Sequence, residues 1–324
     1  MNNRIAILIP FFGDLNIKGY FQRFLDSCKV NSQVTWFIFS DDHTQYEYPE
    51  NVKITYISFE KIRELIQSKF DFEIALPSPY KLCDFKPAYG DIFEEYIEGY
   101  DWWGYGDTDL IWGRIDHFIT DDLLNQYEQL YSRGHLTLSI NNRKMRSLYK
   151  DSGGVELYKS IFTDKKHYAF DELHTIGGYR EIIGRRGITL YDELDFADIS
   201  KVNKHGAFTY ELAQVQLKQY EKSIGCSVFL WSKDGLERIY FKEGKLQKNE
   251  YLYAHFQRRV IIDKACSRDN FCVVPNMILD DPKIITSPRI ILMHCNSPNM
   301  KYGMSMISTK IKNAICRIAN RLRH

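Results

Sequence analysis

Ile5-Ala6-Ile7-Leu8-Ile9-Pro10 is a continuous apolar stretch, rich in β-branched residues, that ends at a proline. An uninterrupted apolar run of this length is typical of a strand that is buried on both faces of a parallel sheet. Phe11-Phe12-Gly13-Asp14 would be the loop after it, and apolar residues then recur every three or four positions from Tyr20 to Cys28. This spacing predicts an amphipathic helix, so the chain opens with a strand followed by a helix.

The same order repeats along the next part of the chain. Residues 36–39 are an apolar run that ends at Asp41 and Asp42, residues 54–57 form a third run, and Ile62, Leu65 and Ile66 predict a second helix. Alternating strands and helices predict an α/β fold, a Rossmann-like mixed sheet flanked by helices. Further strands are expected at residues 136–140, 227–231 and 251–256, with a hairpin partner at residues 236–241.

Two carboxylates stand where a buried strand should end. Asp107-Thr108-Asp109 directly follows the aromatic run Tyr100-Asp101-Trp102-Trp103-Gly104-Tyr105-Gly106. In an extended segment, side chains at i and i+2 point the same way, so Asp107 and Asp109 should converge. Carboxylate oxygens suit Mn²⁺ or Mg²⁺, although a solvated acidic turn would show the same triplet. Because open α/β sheets bind ligands at the carboxyl ends of their strands, we expect residues 10–14, Asp41, Asp42 and this triplet at one edge.

The composition limits the classes of protein that need to be considered. The 324 residues are 44% hydrophobic, which is enough for a sizeable core, and the formal net charge of +1 argues against a nucleic-acid partner. Seven scattered cysteines without a C-x-x-C pair predict reduced thiols and a cytoplasmic location. The apolar run at residues 5–9 is too short for a secretory core or a membrane span.

Four stretches carry a resemblance to a known family: Ile9-Pro10-Phe11-Phe12-Gly13, Tyr80-Lys81-Leu82-Cys83-Asp84-Phe85-Lys86-Pro87-Ala88-Tyr89-Gly90, Gly106-Asp107-Thr108-Asp109-Leu110-Ile111-Trp112-Gly113 and Tyr253-Ala254-His255-Phe256-Gln257-Arg258-Arg259. Together they resemble poorly characterised bacterial glycosyltransferases of the GT-A type, from capsule, exopolysaccharide and lipopolysaccharide clusters. The chain is more remotely similar to retaining galactosyltransferases and mannosyltransferases, in which a Lys/Asp/Arg helix precedes the Asp-x-Asp strand. The resemblance covers most of residues 5–260 and does not specify the donor sugar.

The resemblance implies a metal that bridges the diphosphate of a nucleotide-sugar donor. Asp107 and Asp109 are then the metal ligands, with Asp107 also at the donor, and His255 is the third ligand. The cofactor would be Mn²⁺ or Mg²⁺, which neutralises the charge on the departing nucleoside diphosphate. Without the resemblance, His255 is equally well explained as a hydrogen-bonded histidine in an aromatic core.

Other residues are candidates for donor binding. Pro10, Phe11 and Phe12 lie in the first loop, and Asp41 and Asp42 could accept hydrogen bonds from a uracil or ribose, or cap a helix instead.

Lys81, Asp84 and Lys86 precede Pro87 at spacings that suit the first turn of a helix, whose N-terminus favours anions. They could orient the donor phosphates and sugar hydroxyls, or form a salt-bridged surface turn.

Asp171 and Glu172 are candidates for the chemistry at the acceptor. In inverting enzymes of this type, a carboxylate beyond the metal motif takes the proton from the acceptor hydroxyl. We assign Asp171 as this base and Glu172 as a hydrogen-bond partner of the acceptor, the alternative being two acids that cap a helix or face solvent. The rival acids are Asp192, Glu193, Asp195 and Asp198.

The last residues form a basic segment. Residues 304–324 place apolar residues at helical spacing among lysines and arginines, with no acidic residue. This pattern predicts an amphipathic helix after a GT-A-like domain of residues 1–303. Such a helix could contact the anionic inner face of the cell membrane or pack against the domain.

The sequence therefore predicts a metal-dependent glycosyltransferase. The expected donor is a UDP-sugar, for which a form of UDP-galactose is one candidate. The expected acceptor is a surface polysaccharide or a lipid-linked oligosaccharide. Inversion is preferred, and retention remains an alternative. The rival classes are a sugar phosphotransferase or nucleotidyltransferase that uses the same carboxylates, and a non-catalytic glycan-binding protein, which the aromatic content of 15% would suit.

Overall fold

The computed structural model describes residues 3–151, 156–199, 227–257, 259–274 and 277–280. The chain divides into two compact units, the first comprising Met1–Ala197 with Leu252–His255 and the second comprising Asp198–Tyr251 with Phe256–His324. Our division of the chain at residue 303 and the predicted helix at residues 304–324 depend on residues outside the described ranges, and both stay predictions. None of the described helices is long and apolar enough to cross a membrane.

The first unit is built on a seven-stranded mixed sheet with the strand order β3-β2-β1-β4-β7-β6-β8. Its strands are β1 (Ile5–Pro10), β2 (Val34–Ser40), β3 (Val52–Tyr56), β4 (Trp102–Gly106), β6 (Gln129–Arg133), β7 (Leu136–Ile140) and β8 (Leu190–Tyr191), while β5 (Leu110–Trp112) lies in a separate sheet. Strands β3, β2, β1 and β4 run parallel, and β7 joins β4 antiparallel. The α/β class with a mixed sheet flanked by helices is confirmed.

Helices connect these strands. The α-helices are α1 (Phe21–Lys29), α2 (Phe59–Gln67), α3 (Tyr89–Ile92), α4 (Asp121–Gln126), α5 (Arg143–Arg146), α6 (Leu157–Thr163) and α7 (Tyr179–Arg185), and short 3-10 helices span Pro79–Ala88, Glu94–Tyr96, Ile115–His117, Leu148–Lys150 and Phe170–Glu172. The first two of the helices predicted from apolar spacing are confirmed as α1 and α2. The predicted helical turn before Pro87 is instead part of the long 3-10 helix, with the proline inside it.

The apolar sequence of β1 is explained by its position between two parallel neighbours. Ile5 to Ile9 are all buried, and the run pairs with β2 on one side and β4 on the other. At Gly104 in β4, a Cβ atom would lie 2.1 Å from the carbonyl oxygen of Thr137 in β7. Only glycine therefore lets β4 and β7 approach this closely. This close pairing fixes the end of β4 and therefore the position at which Asp107 to Asp109 begin.

The second unit contains a six-stranded sheet with the order β12-β11-β10-β15-β16-β14. Its strands are β10 (Ser227–Ser232), β11 (Gly235–Lys242), β12 (Lys245–Glu250), β14 (Ile262–Asp263), β15 (Asn270–Val274) and β16 (Met277–Leu279). The hairpin expected from the turn at residues 233–234 is present as β10 and β11, and Val228, Ile239, Cys272 and Val274 form a small apolar core.

Candidate functional site

A late segment of the chain returns to the first unit beside the Asp-x-Asp triplet. Strand β13 (Tyr253–His255) pairs antiparallel with β5, which begins directly after Asp109, and a three-stranded sheet is completed by β9 (Ala197–Asp198). The register places His255 opposite Leu110. A strand was expected at residues 251–256, and the structure has one at Tyr253–His255. This strand brings His255 to the end of β4.

Asp107, Asp109 and His255 form a group that we call the carboxylate–histidine cluster. Each offers one ligand atom, and these atoms all lie within 4.8 Å of one another. His255 Nε2 is 3.4 Å from Asp109 Oδ1, and both of these residues are buried, whereas Asp107 is partly exposed. Two carboxylate oxygens and one imidazole nitrogen are a donor set that fits Mn²⁺ well, and Mg²⁺ would have to fill the remaining positions with water or substrate oxygens.

Each aspartate of the cluster also faces a lysine. Lys86 Nζ donates to Asp107 Oδ1 at 2.7 Å, and Lys18 Nζ donates to Asp109 Oδ2. Burial alone would raise the pKa of Asp109, but His255 and Lys18 together hold the pKa of that carboxyl well below its usual value. Burial would likewise lower the pKa of Lys86, yet the negative charge of Asp107 raises it well above the ordinary lysine value. The charged form of Asp109 is thus favoured, and Asp107 pairs with a buried lysine.

Asp171 lies beside the same group of charges. Lys86 Nζ also donates to the carbonyl oxygen of Gly134 at 2.7 Å, and a Cβ atom on Gly134 would lie 2.8 Å from Asp171 Oδ2. Burial raises the pKa of Asp171 to about 7; the charges of Glu172 and Asp107 add to this rise, while Lys86 opposes it. Asp171 is therefore a buried carboxyl that changes charge near neutral pH, and it does not face solvent as the alternative required.

Glu172 is exposed and holds the turn between β6 and β7. Its Oε1 atom accepts the N–H of Gly134 at 2.8 Å. The contact with an acceptor that we predicted for Glu172 stays a prediction.

Lys81 and Asp84 form a buried ion pair. Their side chains are 2% and 0% exposed, and the two charged groups are 2.7 Å apart. Lys81 Nζ also donates to the carbonyl oxygens of Ile161 and Lys166, and Asp84 accepts the backbone N–H groups of Tyr168 and Phe170. The pair thus braces the segment that carries Asp171 and is not a surface turn, while its predicted contact with the donor stays a prediction.

The loops at the carboxyl edge of the sheet are tied together as expected. Asp41 Oδ1 accepts the N–H of Gly13 at 2.7 Å, and Asp42 accepts the N–H groups of Leu15 and Thr44. The helix N-cap alternative for these two aspartates is wrong, because they precede a non-helical segment through residue 48. Their contact with a nucleotide stays a prediction.

Pro10, Phe11 and Phe12 lie at the same edge, partly exposed. The ring of Phe12 packs edge-on against Phe59, with 5.4 Å between the ring centroids. Their predicted contact with the donor is likewise untested by this arrangement.

Three residues that sequence reasoning missed complete the site. They are Lys18, Gly134 and His135. His135 Nδ1 is 2.8 Å from the Tyr253 hydroxyl, and its ring centroid is 4.3 Å from that of His255. His135 is thus held by Tyr253 and packs against the ring of His255. In the sequence, only the glycine of Arg133-Gly134-His135 indicated a turn at which these residues could approach the site.

Two of the rival acids have other partners. Asp192 forms ion pairs with Arg133 and Arg180, and Asp195 accepts the Tyr131 hydroxyl at 2.8 Å. Glu193 is exposed, and Asp198 accepts a hydrogen bond from Gln257 within the second unit. Among the described acids, Asp171 is therefore the one that combines burial with a place beside Asp107 and Lys86.

Comparisons with known proteins give a family and two weak structural likenesses. A model of a family of unknown function, DUF6625, matches residues 7–282, whereas no curated protein matches the chain. Among solved structures, the chain is similar to the galactosyltransferase LgtC in complex with donor and acceptor sugar analogs, at 14% identity over 60% of this chain and 75% of that one, with a TM-score of 0.34. It is also similar to the glycosyltransferase GlyE of Streptococcus pneumoniae TIGR4, at 18% identity over 60% of this chain and 46% of that one, with a TM-score of 0.27. This chain thus spans less than half of GlyE, and likenesses at these scores carry no functional weight.

Proposed function

The chain belongs to DUF6625, a family of unknown function, and we propose that it is a metal-dependent glycosyltransferase that uses a nucleoside-diphosphate sugar. The observation that carries this proposal is the carboxylate–histidine cluster, in which the ligand atoms of Asp107, Asp109 and His255 lie within 4.8 Å of one another. The cluster begins at the carboxyl end of β4, the edge of an α/β sheet at which ligands bind. A bound divalent cation would neutralise the charge that develops on the diphosphate as the glycosidic bond to the donor breaks.

The chain's own residues have distinct tasks in this reaction. Asp107, Asp109 and His255 would hold the metal, and Lys86 keeps Asp107 in place through its 2.7 Å ion pair. Asp171 takes the proton from the acceptor hydroxyl as that oxygen forms its bond to the anomeric carbon. A pKa of about 7 suits this role, because a base that titrates near the working pH combines availability with proton affinity. A single base of this kind fits inversion at the anomeric carbon, which NMR of the product anomer would test.

The identity of the two substrates belongs to the same proposal. We propose a UDP-sugar as the donor, with UDP-galactose as the first to assay, and a surface polysaccharide or lipid-linked oligosaccharide as the acceptor. The proposed acceptor class rests on the resemblance of the four sequence stretches, and the proposed place at the cytoplasmic face of the membrane rests on the scattered cysteines and the basic C-terminal segment. The basic segment of residues 304–324, outside the described ranges, would supply the contact with anionic lipid.

The test measures release of nucleoside diphosphate from UDP-sugars with Mn²⁺ present. Wild type should turn over, and Asp109→Asn should lose about 100-fold in rate together with the thermal stabilisation that Mn²⁺ and UDP give jointly. Asp122→Asn, which changes an exposed aspartate of α4 in the same way, is the matched control and should behave as wild type. Unchanged turnover in Asp109→Asn would overturn the proposal, and release of pyrophosphate from UTP in the presence of a sugar phosphate would identify a nucleotidyltransferase instead.

A further inference from the structure

Lys18 stands where it would compete with a metal at Asp109. It lies in the turn between β1 and α1, and its Nζ atom pairs with Asp109 Oδ2, on the same carboxylate whose Oδ1 faces His255. Hydrogen bonds from Ile17 N to Asp14 O and from Gly19 N to Asn16 O shape this turn. The ammonium group therefore reaches the cluster from a loop at the carboxyl edge, the side from which a donor would arrive.

The charges around the cluster make binding of a bare divalent cation unfavourable. Asp107 and Asp109 contribute two negative charges, and Lys86 and Lys18 already balance them. A cation that binds beside both lysines meets repulsion at short range, which is felt strongly in a partly buried site. Stable binding of the metal therefore requires that one lysine leaves its aspartate, or that an anion binds beside the lysines and adds negative charge.

The two lysines differ in their freedom to move. The Lys86 side chain is 8% exposed and is tied both to Asp107 and to the carbonyl oxygen of Gly134. The Lys18 side chain is 27% exposed, and within the described part of the chain Asp109 is its one ion-pair partner. A flexible four-carbon stem that ends in three donors can exchange a carboxylate for a phosphate without any movement of the backbone.

We propose that Lys18 binds the donor diphosphate. In the free protein its ammonium group supplies, next to Asp109, the positive charge that the metal supplies in the complex. When metal and nucleoside diphosphate bind together, the ammonium group moves from Asp109 to a phosphate oxygen. The cation then gains Asp109, and the diphosphate gains a charge-assisted hydrogen bond. Metal and nucleotide consequently bind with positive coupling, and metal alone binds poorly. This inference rests on the proposed function, because it assumes a diphosphate donor at the cluster.

The experiment measures binding without turnover. Free Mn²⁺ is followed by electron paramagnetic resonance during titration of wild type, Lys18→Met and Lys18→Arg, with and without UDP. Lys18→Met should bind Mn²⁺ alone about tenfold more tightly, equivalent to about 1.4 kcal/mol, and should bind UDP at saturating Mn²⁺ about tenfold more weakly. Lys18→Arg should retain the wild-type pattern. Lys29→Met, an exposed lysine at the end of α1, controls for loss of one positive charge.

The outcomes separate this inference from the proposed function. Opposite changes in Mn²⁺ and UDP affinity support the exchange, whereas a merely structural role for Lys18 would weaken both. If Mn²⁺ binds through Asp109, as judged by its loss in Asp109→Asn, but Lys18→Met binds Mn²⁺ alone no more tightly than wild type, the exchange is refuted and the metal site stands. If wild type binds no Mn²⁺ even in the presence of UDP, or if Asp109→Asn binds it equally well under that condition, the metal site and the exchange both fall.

Discussion

Asp171→Asn should change how the stability of the first unit depends on pH. In the folded chain the pKa of Asp171 is raised from 3.8 to about 7, chiefly by burial. The unfolded chain releases this proton near pH 4, so between about pH 4 and pH 7 the native state holds a proton that the unfolded state has lost. Stability from this group is therefore fully present below about pH 4 and falls as the pH rises through about 7.

The magnitude follows from the width of that window. From pH 5 to about pH 7, over about two pH units, Asp171 is protonated in the folded chain and ionised in the unfolded chain. At 1.36 kcal/mol per unit, the free energy of unfolding therefore falls by about 3 kcal/mol between pH 5 and pH 8. Asparagine carries no charge at either pH, so the variant lacks this loss. Wild type should lose about 3 kcal/mol more than Asp171→Asn between pH 5 and pH 8, because all other titrating groups are common to both proteins.

Urea unfolding of metal-free protein at the two pH values measures this difference. Tryptophan fluorescence suits the assay, since Trp36, Trp102, Trp103 and Trp112 all lie in the first unit. Equal losses in wild type and Asp171→Asn would refute the reasoning, because they would show that the carboxyl is ionised in the native state at both pH values. If Asp171 is also the base, turnover of wild type should rise with pH to a plateau above about pH 7.

Three substitutions test the framework around the site. Asp84→Asn should cost about 3–5 kcal/mol in urea unfolding, because it leaves a buried lysine without its counter-charge; a loss below about 1 kcal/mol would contradict the brace assigned to this pair. Gly104→Ala should cost at least about 2 kcal/mol, since the new Cβ atom would meet the carbonyl oxygen of Thr137, whereas Gly184→Ala in α7 has open space and should gain about 0.5–1 kcal/mol. Equal effects of the two alanines would show that β4 and β7 are not closely paired.

The sequence predicted those parts of the fold that depend on local patterns. The apolar run of β1 and the spacing from Tyr20 to Cys28 each identified an element, because buried strands and amphipathic helices impose periods that can be counted. Asp107 and Asp109 were found because they follow a strand directly. His255 was found through the family resemblance, since nothing local distinguishes it from a core histidine.

The remaining site residues depend on contacts between distant parts of the chain. Lys18 reaches Asp109 across 91 positions, and His135 meets Tyr253 across 118. Contacts between residues so far apart in the chain produce no periodic pattern and no motif in the sequence. The burial of Lys81 and Asp84 could not be predicted for the same reason, because the spacing of a lysine and an aspartate does not show whether the pair will be covered. The structure was needed to distinguish a buried brace from a surface turn.

The discontinuity of the first unit has a consequence for the protein during its synthesis. Leu252–His255 belong to this unit, yet the ribosome makes them after the whole of residues 198–251. Because a chain folds as it emerges, N-terminal parts first, the central sheet can form around β1 while the carboxylate–histidine cluster still lacks its imidazole. The cluster is therefore completed only after residues 198–251 have been made, and a product truncated before His255 would contain both aspartates without the histidine.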